Sequence, residues 1–189
     1  GHDWGAVVGW LLAGRHPARV AGLTALSVPH PAAVRDALAV STQALRSAYV
    51  AFFQLPLLPE SVLLTSGAAP LRRLLRGSGL PQEAADRYVD RMREPGALRA
   101  ALNWYRALPL EPPTPGRVRV PTVSVRGARE PAMVKQAALL TSRYVRGAYR
   151  HAELPGAGHW LPETRAGDIA PLVLELVTGD GPSSQGQTS

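Results

Sequence analysis

The residues best suited to do chemistry stand at the first five positions of the sequence, GHDWG. Two glycines flank Asp3 and an apolar run begins at Ala6, a pattern typical of a sharp turn that leads into a buried helix and presents its central side chain as a nucleophile. In the serine version of this turn the nucleophile is a hydroxyl, whereas here it is a carboxylate. Asp3 also suits an ordinary helix N-cap, although Ala6 leaves no capping box to support that role. Spacing alone leaves both roles open.

Two later segments carry the partners that such a nucleophile needs. Glu130 follows a strand-like run in VRGAREPAM, and His159 stands in the glycine-flanked loop of LPGAGHWLPE. Nucleophile, acid, histidine is the chain order of a triad on an open α/β sheet, and both residues lie beyond predicted strand ends, where such sheets place catalysts. Taken singly, Glu130 is compatible with an exposed loop carboxylate and His159 with a structural histidine. Their order and separation favour the catalytic interpretation.

The elements that would position these residues alternate between helix and strand at both ends of the chain. The predicted elements are a helix over 6–13, strands over 20–28 and 120–125, a helix over 131–144, a strand over 149–154 and a helix over 169–177. This alternation predicts a parallel sheet with flanking helices, the α/β class. Helical periodicity from residue 32 to about 108 predicts an all-helical insertion. We therefore expect an α/β core with the turn at 1–31, a helical insertion at 32–112, a second core segment at 113–178 and a disordered polar tail at 179–189.

The composition excludes several classes of protein. The 189 residues are 46% apolar, enough for the core of one ordinary domain with an insertion. Cysteine is absent, which excludes disulfides and thiolate chemistry, and no apolar run approaches the roughly 18 residues of a membrane span, so we expect a cytoplasmic protein. The net charge of +7 comes from scattered arginines, which argues against a nucleic-acid partner. Nothing in the sequence predicts a metal ion or a cofactor.

Four segments together resemble the epoxide hydrolases of the α/β-hydrolase superfamily. They are GHDWGA, ALNWYRALP, VPTVSVRGAREPA and LPGAGHWLPE, and the resemblance extends from Gly1 to about Val177. GHDWG is also typical of haloalkane dehalogenases, whereas NWYR within the helical insertion favours an epoxide hydrolase. The resemblance implies the C-terminal part of an α/β-hydrolase fold, a partial and mostly parallel sheet with an inserted helical cap.

The resemblance also implies a role for each site residue. Asp3 attacks a carbon of a small apolar epoxide, Tyr105 in the cap donates a proton to the ring oxygen, and an alkyl ester forms on the enzyme. His159, oriented by Glu130, then activates the water that hydrolyses the ester. The backbone N–H of Trp4 contributes to the oxyanion hole in this second step. These residue types suit the task, because a phenol donates a proton without carrying a charge and histidine is a base near neutral pH.

The chain departs from the family pattern at two site positions. Members carry a second cap tyrosine, and in YVAFFQLPLLPE we assign Phe52 to that position; Tyr49 lies one helical turn earlier and could share its face. Glu130 stands where an aspartate is usual, and its side chain is longer by one methylene. Since Trp4 and Trp160 adjoin proposed catalytic residues, both are expected to border the substrate pocket.

A further departure is that the sequence begins at the turn itself. The strands that family members carry before it, and their His-Gly-x-Pro loop, are not in this sequence, so we expect a partial sheet with an open edge that invites pairing. This pattern indicates the C-terminal part of a longer hydrolase, whose activity in this form is open. Two alternatives to epoxide hydrolysis also remain. One is a haloalkane or haloacid dehalogenase that uses the Trp4 indole, with Trp104 as a conceivable second halide donor, and the other is a non-catalytic remnant.

Overall fold

The computed structural model describes residues 1–178; the predicted tail at 179–189 lies outside the described residues. In chain order, its helices and strands are α1 (Trp4–Arg15), β1 (Leu23–Leu26), α2 (Pro31–Val40), α3 (Gln43–Arg46), α4 (Tyr49–Phe53), α5 (Leu58–Gly77), α6 (Gln82–Arg93), α7 (Ala97–Ala107), β2 (Thr122–Gly127), α8 (Lys135–Leu140), β3 (Tyr149–Leu154), α9 (Leu161–Thr164) and α10 (Ala166–Thr178). Short 3₁₀ turns cover Pro17–Arg19 and Thr141–Tyr144.

The chain divides into two compact units. The sheet unit comprises residues 1–44 and the chain from residue 113 onward, and the helical unit comprises residues 45–112. The insertion predicted for 32–112 therefore starts earlier than the helical unit does. The reason is that α2 packs on α8 of the sheet unit, where Ala33 and Ala37 share a buried cluster with Ala137 and Leu140. Helical periodicity identified α2 as a helix but could not tell which unit it belongs to.

Three parallel strands in the order β1-β2-β3 form the sheet. Leu23 is in register with Thr122, and Thr122 in turn with Tyr149, so the carboxyl ends of the strands lie along one edge. β3 has the bounds that the sequence predicts, and β2 is displaced toward the C-terminus relative to the predicted 120–125. A parallel sheet of this kind presents residues that follow its strands at a common edge, which is the arrangement a catalytic site needs.

The first strand is shorter than the predicted run 20–28 because the backbone turns at both of its ends. A 3₁₀ turn ends just before Val20, and Ser27 has a φ of 64°, which extended chain cannot adopt. The outer side of β1 is occupied by the first residues of the chain: the Gly1 amino group donates to Thr24 O at 2.8 Å, and the Leu26 N–H donates to Gly1 O at 2.8 Å. The predicted open edge is thus partly covered.

Apolar side chains cover both faces of the sheet. On one face, Trp10 of α1 is fully buried against Leu23 and Ala25, and its indole N–H donates to Val28 O at 3.1 Å. On the other face, Val123 and Val125 of β2 pack in one cluster with side chains of α9 and α10. Burial of each large apolar side chain stabilises the fold by about 1.5–3 kcal/mol. This core holds the carboxyl edge of the sheet, where the candidate site lies.

The helix predicted for 131–144 is shorter in the structure. Residues 131–134 form an irregular loop, α8 begins at Lys135, and the last turn is 3₁₀. The Ala132 N–H donates to the Glu130 carboxylate at 2.8 Å and the Val134 N–H donates to the Gln43 amide oxygen at 2.9 Å. Side chains thus take the N–H groups of this loop, and the helix starts only after them.

The helical unit has a core of its own, formed by α4, α5, α6 and α7. Its buried apolar side chains are Phe53, Leu63, Ala68, Leu71, Val89, Leu98 and Leu102. Helix α5 is interrupted at Thr65–Ala68, where the backbone leaves the helical region, and it resumes before Pro70. No single helix within residues 1–178 is both long and apolar enough to cross a membrane, and one sharply bent pair, Gln43–Phe53 with Leu58–Gly77, passes on length and composition only.

Candidate active site

Asp3 occupies a strained turn between the edge of the sheet and α1. Its φ of 50° and ψ of −124° lie outside the regions that a residue with a side chain normally occupies, and its side chain makes no capping hydrogen bond to α1. The N-cap alternative therefore has no geometric support. A side chain at Gly1 would place Cβ 2.3 Å from the carbonyl oxygen of Gly5, so the turn closes only with glycine there. At Gly5 a Cβ would meet nothing within 4 Å, so the second glycine is not required by contacts within this chain.

Glu130 lies just beyond β2, in the loop that precedes α8. Its carboxylate is completely buried and contacts Nδ1 of His159 with both oxygens, at 2.9 and 3.1 Å. The approach of the two loops depends on Gly127, because a Cβ there would lie 2.2 Å from Gly158 O. The longer glutamate side chain thus reaches the histidine, and one of its oxygens also accepts the Ala132 N–H.

His159 lies between the two carboxylates. Its Nε2 is 3.7 Å from Oδ1 of Asp3, which is longer than a hydrogen bond, while its Nδ1 contacts Glu130 at hydrogen-bond distance. Buried Glu130 can only accept, so we assign the proton to Nδ1, which leaves Nε2 with its lone pair toward Asp3. The side chain of Asp3 is 40% exposed and that of His159 11%, so the carboxylate is open to solvent while the imidazole is shielded.

The pKa of His159 results from opposing influences. Burial alone lowers it, but the hydrogen bond and charge of Glu130, together with the charges of Asp3 and Glu163, outweigh burial and raise the pKa above its ordinary value. The effect of Asp3 matters for chemistry, because a reaction that neutralises this carboxylate removes one of the influences that raise the pKa.

Two side chains that the sequence did not single out hold the backbone of His159. The Ser27 hydroxyl donates to the His159 carbonyl at 2.6 Å, and Nε2 of His2 lies 2.9 Å from the same oxygen. The His2 ring is also 4.9 Å from the His159 ring and 5.8 Å from that of Trp160. Ser27 and His2 lie 132 and 157 residues before His159 in the sequence, so no local pattern reveals these contacts.

The two tryptophans expected to border the pocket each adjoin a candidate catalytic residue. The ring of Trp160 stands edge-on to the His159 ring at 5.2 Å. Trp4 is the first residue of α1, where backbone N–H groups can meet an anion. A position beside Asp3 is what an oxyanion donor requires.

In the helical unit, two tyrosines lie side by side. The ring centroids of Tyr49 in α4 and Tyr105 in α7 are 5.9 Å apart at 74°, and both rings stand edge-on to Phe53. Phe52, which we assigned to the second tyrosine position from sequence, packs instead beside Phe53 at 5.9 Å and joins the apolar core. Tyr49, one turn earlier, is the residue that brings a second hydroxyl to the neighbourhood of Tyr105.

The segment that carries Tyr105 is anchored by its neighbours. The amide of Gln54 donates to Tyr105 O at 2.7 Å, which ties α4 to α7. Arg106 binds both oxygens of Glu60, at 2.7 and 3.0 Å, and donates to the carbonyl oxygens of Phe53 and Leu55 at 3.0 and 2.8 Å. This planar fork fixes the turn between α4 and α5 against α7.

Comparison with known proteins gives consistent results. A family model described as the α/β hydrolase fold matches residues 1–166. Epoxide hydrolase A of Mycobacterium tuberculosis (strain ATCC 25618 / H37Rv) is 32% identical over 221 residues, which cover 95% of this chain and 68% of that protein. The AB hydrolase superfamily protein YfhM of Bacillus subtilis (strain 168) is 32% identical over 184 residues, covering 94% and 64%. The crystal structure of Epoxide Hydrolase A from Mycobacterium thermoresistibile aligns with 95% of this chain and 68% of its own, with a TM-score of 0.77 and 25% identity.

The relatives that match this chain are longer than it is. The chain spans about two thirds of these bacterial proteins and about half of the vertebrate proteins named epoxide hydrolase 3 and 4 that it matches.

Proposed function

Since this chain belongs to the α/β-hydrolase family and is similar to its epoxide hydrolases, we propose that it hydrolyses a small apolar epoxide to a vicinal diol through an ester on Asp3. One observation carries the proposal. A carboxylate, rather than a hydroxyl, stands in the strained turn and lies 3.7 Å from a histidine that a buried glutamate orients. A carboxylate at this position forms an ester with an alkylating substrate, which is the chemistry that an epoxide offers.

In the first step, an Asp3 oxygen attacks one epoxide carbon, and the C–O bond of that carbon breaks. The electron pair goes to the ring oxygen, which takes a proton from the phenol of Tyr105, with Tyr49 beside it as a second donor or as a hydrogen-bond partner. The product is a hydroxyalkyl ester of Asp3, and no leaving group departs. The 5.9 Å separation of the two rings supports a shared role.

In the second step, His159 takes a proton from a water molecule through Nε2, and the resulting hydroxide attacks the carbonyl carbon of the ester. The imidazolium that forms is stabilised by Glu130 at Nδ1. The oxyanion of the tetrahedral intermediate accepts a hydrogen bond from the Trp4 N–H. Its collapse breaks the bond to the diol oxygen, which takes the proton of the imidazolium. The acid left on Asp3 then ionises, and the Tyr105 phenolate regains a proton through solvent. One oxygen of the diol therefore comes from Asp3, and the water oxygen stays in the carboxylate.

The electrostatics of the site favour this order of steps. In the free protein, burial lowers the pKa of His159, while Glu130 and the charge of Asp3 raise it. Ester formation removes that charge, so the pKa of His159 falls in the intermediate. The imidazole is therefore more readily neutral, and able to act as a base, at the step that uses it.

The tyrosine pair favours epoxide opening over dehalogenation. An alkoxide leaving from a ring carbon needs a proton, whereas a halide leaves as an anion and needs only hydrogen bonds. Two phenols in contact supply protons but no charge. Cytoplasmic location and pairing through the sheet edge stay predictions.

A test of the proposal is to remove the base and look for the ester. The His159→Gln variant treated with styrene oxide should gain the mass of one epoxide, and the adduct should map to the peptide that contains Asp3. The control His16→Gln changes an exposed histidine outside the site and should turn over without adduct. Absence of an adduct in His159→Gln, with diol still formed, would exclude the covalent route.

A further inference from the structure

Gln43 is a fully buried side chain whose amide binds a distant loop at two points. It lies at the start of α3, and none of its surface is exposed. Its Nε2 donates to Ala132 O at 2.9 Å, and its Oε1 accepts the Val134 N–H at 2.9 Å. A carboxamide has both a donor and an acceptor, so it can satisfy an exposed carbonyl and an exposed N–H at once.

The loop that Gln43 binds is the one that carries the proposed acid. Residues 131–134 belong to no helix or strand, so their peptide groups lack the partners that regular structure would supply. The Ala132 residue is held from both sides, because its C=O accepts from Gln43 and its N–H donates to Glu130 at 2.8 Å. A continuous path of hydrogen bonds thus runs from Gln43 through Ala132 to Glu130, and from there to Nδ1 of His159.

The length of the Glu130 side chain makes support from the loop useful. Compared with the usual aspartate, it has one more rotatable bond, and without restraint its carboxylate could leave the imidazole. The Ala132 N–H fixes one oxygen of Glu130, but only while the loop keeps Ala132 in place. The two bonds of Gln43, on either side of the single residue Met133, hold the loop in that position.

We propose that Gln43 is a positioning residue for the acid, which holds the loop at Ala132 so that the Glu130 carboxylate stays on Nδ1 of His159. The proposal rests on the proposed function for the roles of Glu130 and His159, but its geometric claim concerns the Glu130–His159 contact itself. That contact can be measured without substrate.

The test is a titration of His159 by NMR in the 189-residue chain labelled with ¹⁵N-histidine. The charged groups that face the ring are Glu130 after β2, Asp3 before α1, Glu163 in α9 and, when protonated, His2. Glu130→Gln sets the scale, since loss of an adjacent opposite charge lowers a histidine pKa by about 1–3 pH units. Gln43→Met keeps the length of the side chain and removes both hydrogen bonds. We expect it to lower the pKa of His159 by about half to one pH unit and to broaden the Nδ1–H resonance.

A matched control separates positioning from general destabilisation. Thr141 is also fully buried, and its hydroxyl bonds to Ala137 O and the His30 N–H, away from the acid loop. Thr141→Val should destabilise the sheet unit comparably and leave the His159 titration unchanged. If Gln43→Met does not fold, Gln43→Asn, which keeps the amide but is too short to reach both partners, should lower the pKa in the same direction.

A His159 titration that is identical to wild type in a folded Gln43 variant, while Glu130→Gln shifts it, would overturn the proposal. A shift of equal size in Thr141→Val would overturn it as well. Neither outcome depends on epoxide turnover. Conversely, a lowered pKa in Gln43→Met together with no ester on Asp3 would retain the positioning role and reject the proposed function.

Discussion

The two units of the molecule hold their candidate catalytic side chains in different ways. In the sheet unit, Asp3, Glu130 and His159 all lie on turns or loops, and each is fixed by its backbone or by buried hydrogen bonds. In the helical unit, Tyr49 and Tyr105 lie on regular helices and are held by ring packing. In the proposed mechanism, Asp3 must meet a substrate carbon and His159 a water molecule within a fraction of an ångström, which loops at strand ends can achieve only when they are rigidly held.

This difference has a consequence for stability. The positive φ of Asp3 is a strained conformation that costs about 1–3 kcal/mol and serves the exposure of the carboxylate. The helices of the tyrosines carry no comparable strain at those residues, so their side chains can be changed at little cost. If Asp3 acts as proposed, the sheet unit is less stable because of its catalytic residue, and the helical unit is not. Four predictions test this contrast.

The largest effect is expected at Asp3. Asp3→Gly removes the nucleophile and supplies the one residue that tolerates the strained turn, so epoxide turnover should fall by about 10⁴-fold or more while the free energy of unfolding rises by about 1 kcal/mol. Urea denaturation and a turnover assay measure both. The control Asp168→Gly, in the first turn of α10, should lower the free energy of unfolding by about 1 kcal/mol and leave turnover intact. A less stable Asp3→Gly protein would contradict the contrast.

The next effect concerns the tyrosine pair. Tyr105→Phe should slow ester formation by about 10²- to 10⁴-fold, because a general acid is lost, and Tyr105→Phe with Tyr49→Phe should fall well below either single variant. Stopped-flow or quench measurements of alkylation give the rates. Stability should hardly change in either variant. Tyr88→Phe in α6 is the matched control and should behave as wild type. Near wild-type alkylation by the double variant would remove these residues from the mechanism.

A smaller effect is expected where the helical unit depends on one arginine. Lysine cannot bind both oxygens of Glu60 and the carbonyl oxygens of Phe53 and Leu55, so Arg106→Lys should lower the free energy of unfolding of this unit by about 1–3 kcal/mol. Hydrogen exchange resolved by residue shows the loss in α4–α7. Arg99→Lys, an exposed change on the same helix, should show none. Equal loss of protection throughout the sheet unit would mean that the two units do not unfold separately.

The smallest effect is a pH shift within the sheet unit. The pKa of His159 in the free protein lies above its ordinary value, in part because of Asp3, and the ester abolishes that charge. Solvent screens this interaction, because the Asp3 side chain is 40% exposed, so the effect should be small. The rate of ester hydrolysis should therefore rise with pH through a pKa lower than the one titrated in the free protein. A higher pKa in the ester would contradict the electrostatic account.

The sequence predicted well those features that local pattern determines. Residue types, order and place beyond strands singled out Asp3, Glu130 and His159, whose catalytic roles stay predictions, and the bounds of β3 follow from its alternation. The parallel α/β sheet follows from the order of strands and helices. These features depend on neighbours in the chain, so a single sequence contains them.

The features that the sequence did not predict depend on distant partners. Gln43, Ser27 and His2 act on backbone atoms far along the chain, and an isolated glutamine or serine gives no sign of this. The helix expected from residue 131 starts later because Glu130 and Gln43 take the N–H groups of its first turn. Tyr49 and Phe52 both lie in one short helix, and only the position of α7 decides which of them meets Tyr105.

The most direct test of the account is a single-turnover reaction in H₂¹⁸O, with the protein in excess over the epoxide. We predict that the diol contains no ¹⁸O from water at the carbon attacked and that one ¹⁸O is found in the Asp3 carboxylate by peptide mass spectrometry. In a second reaction with excess epoxide, the diol should become labelled in the later turnovers. Diol that is fully labelled in the first turnover, with unlabelled Asp3, would show that water attacks the epoxide directly and would contradict the ester mechanism.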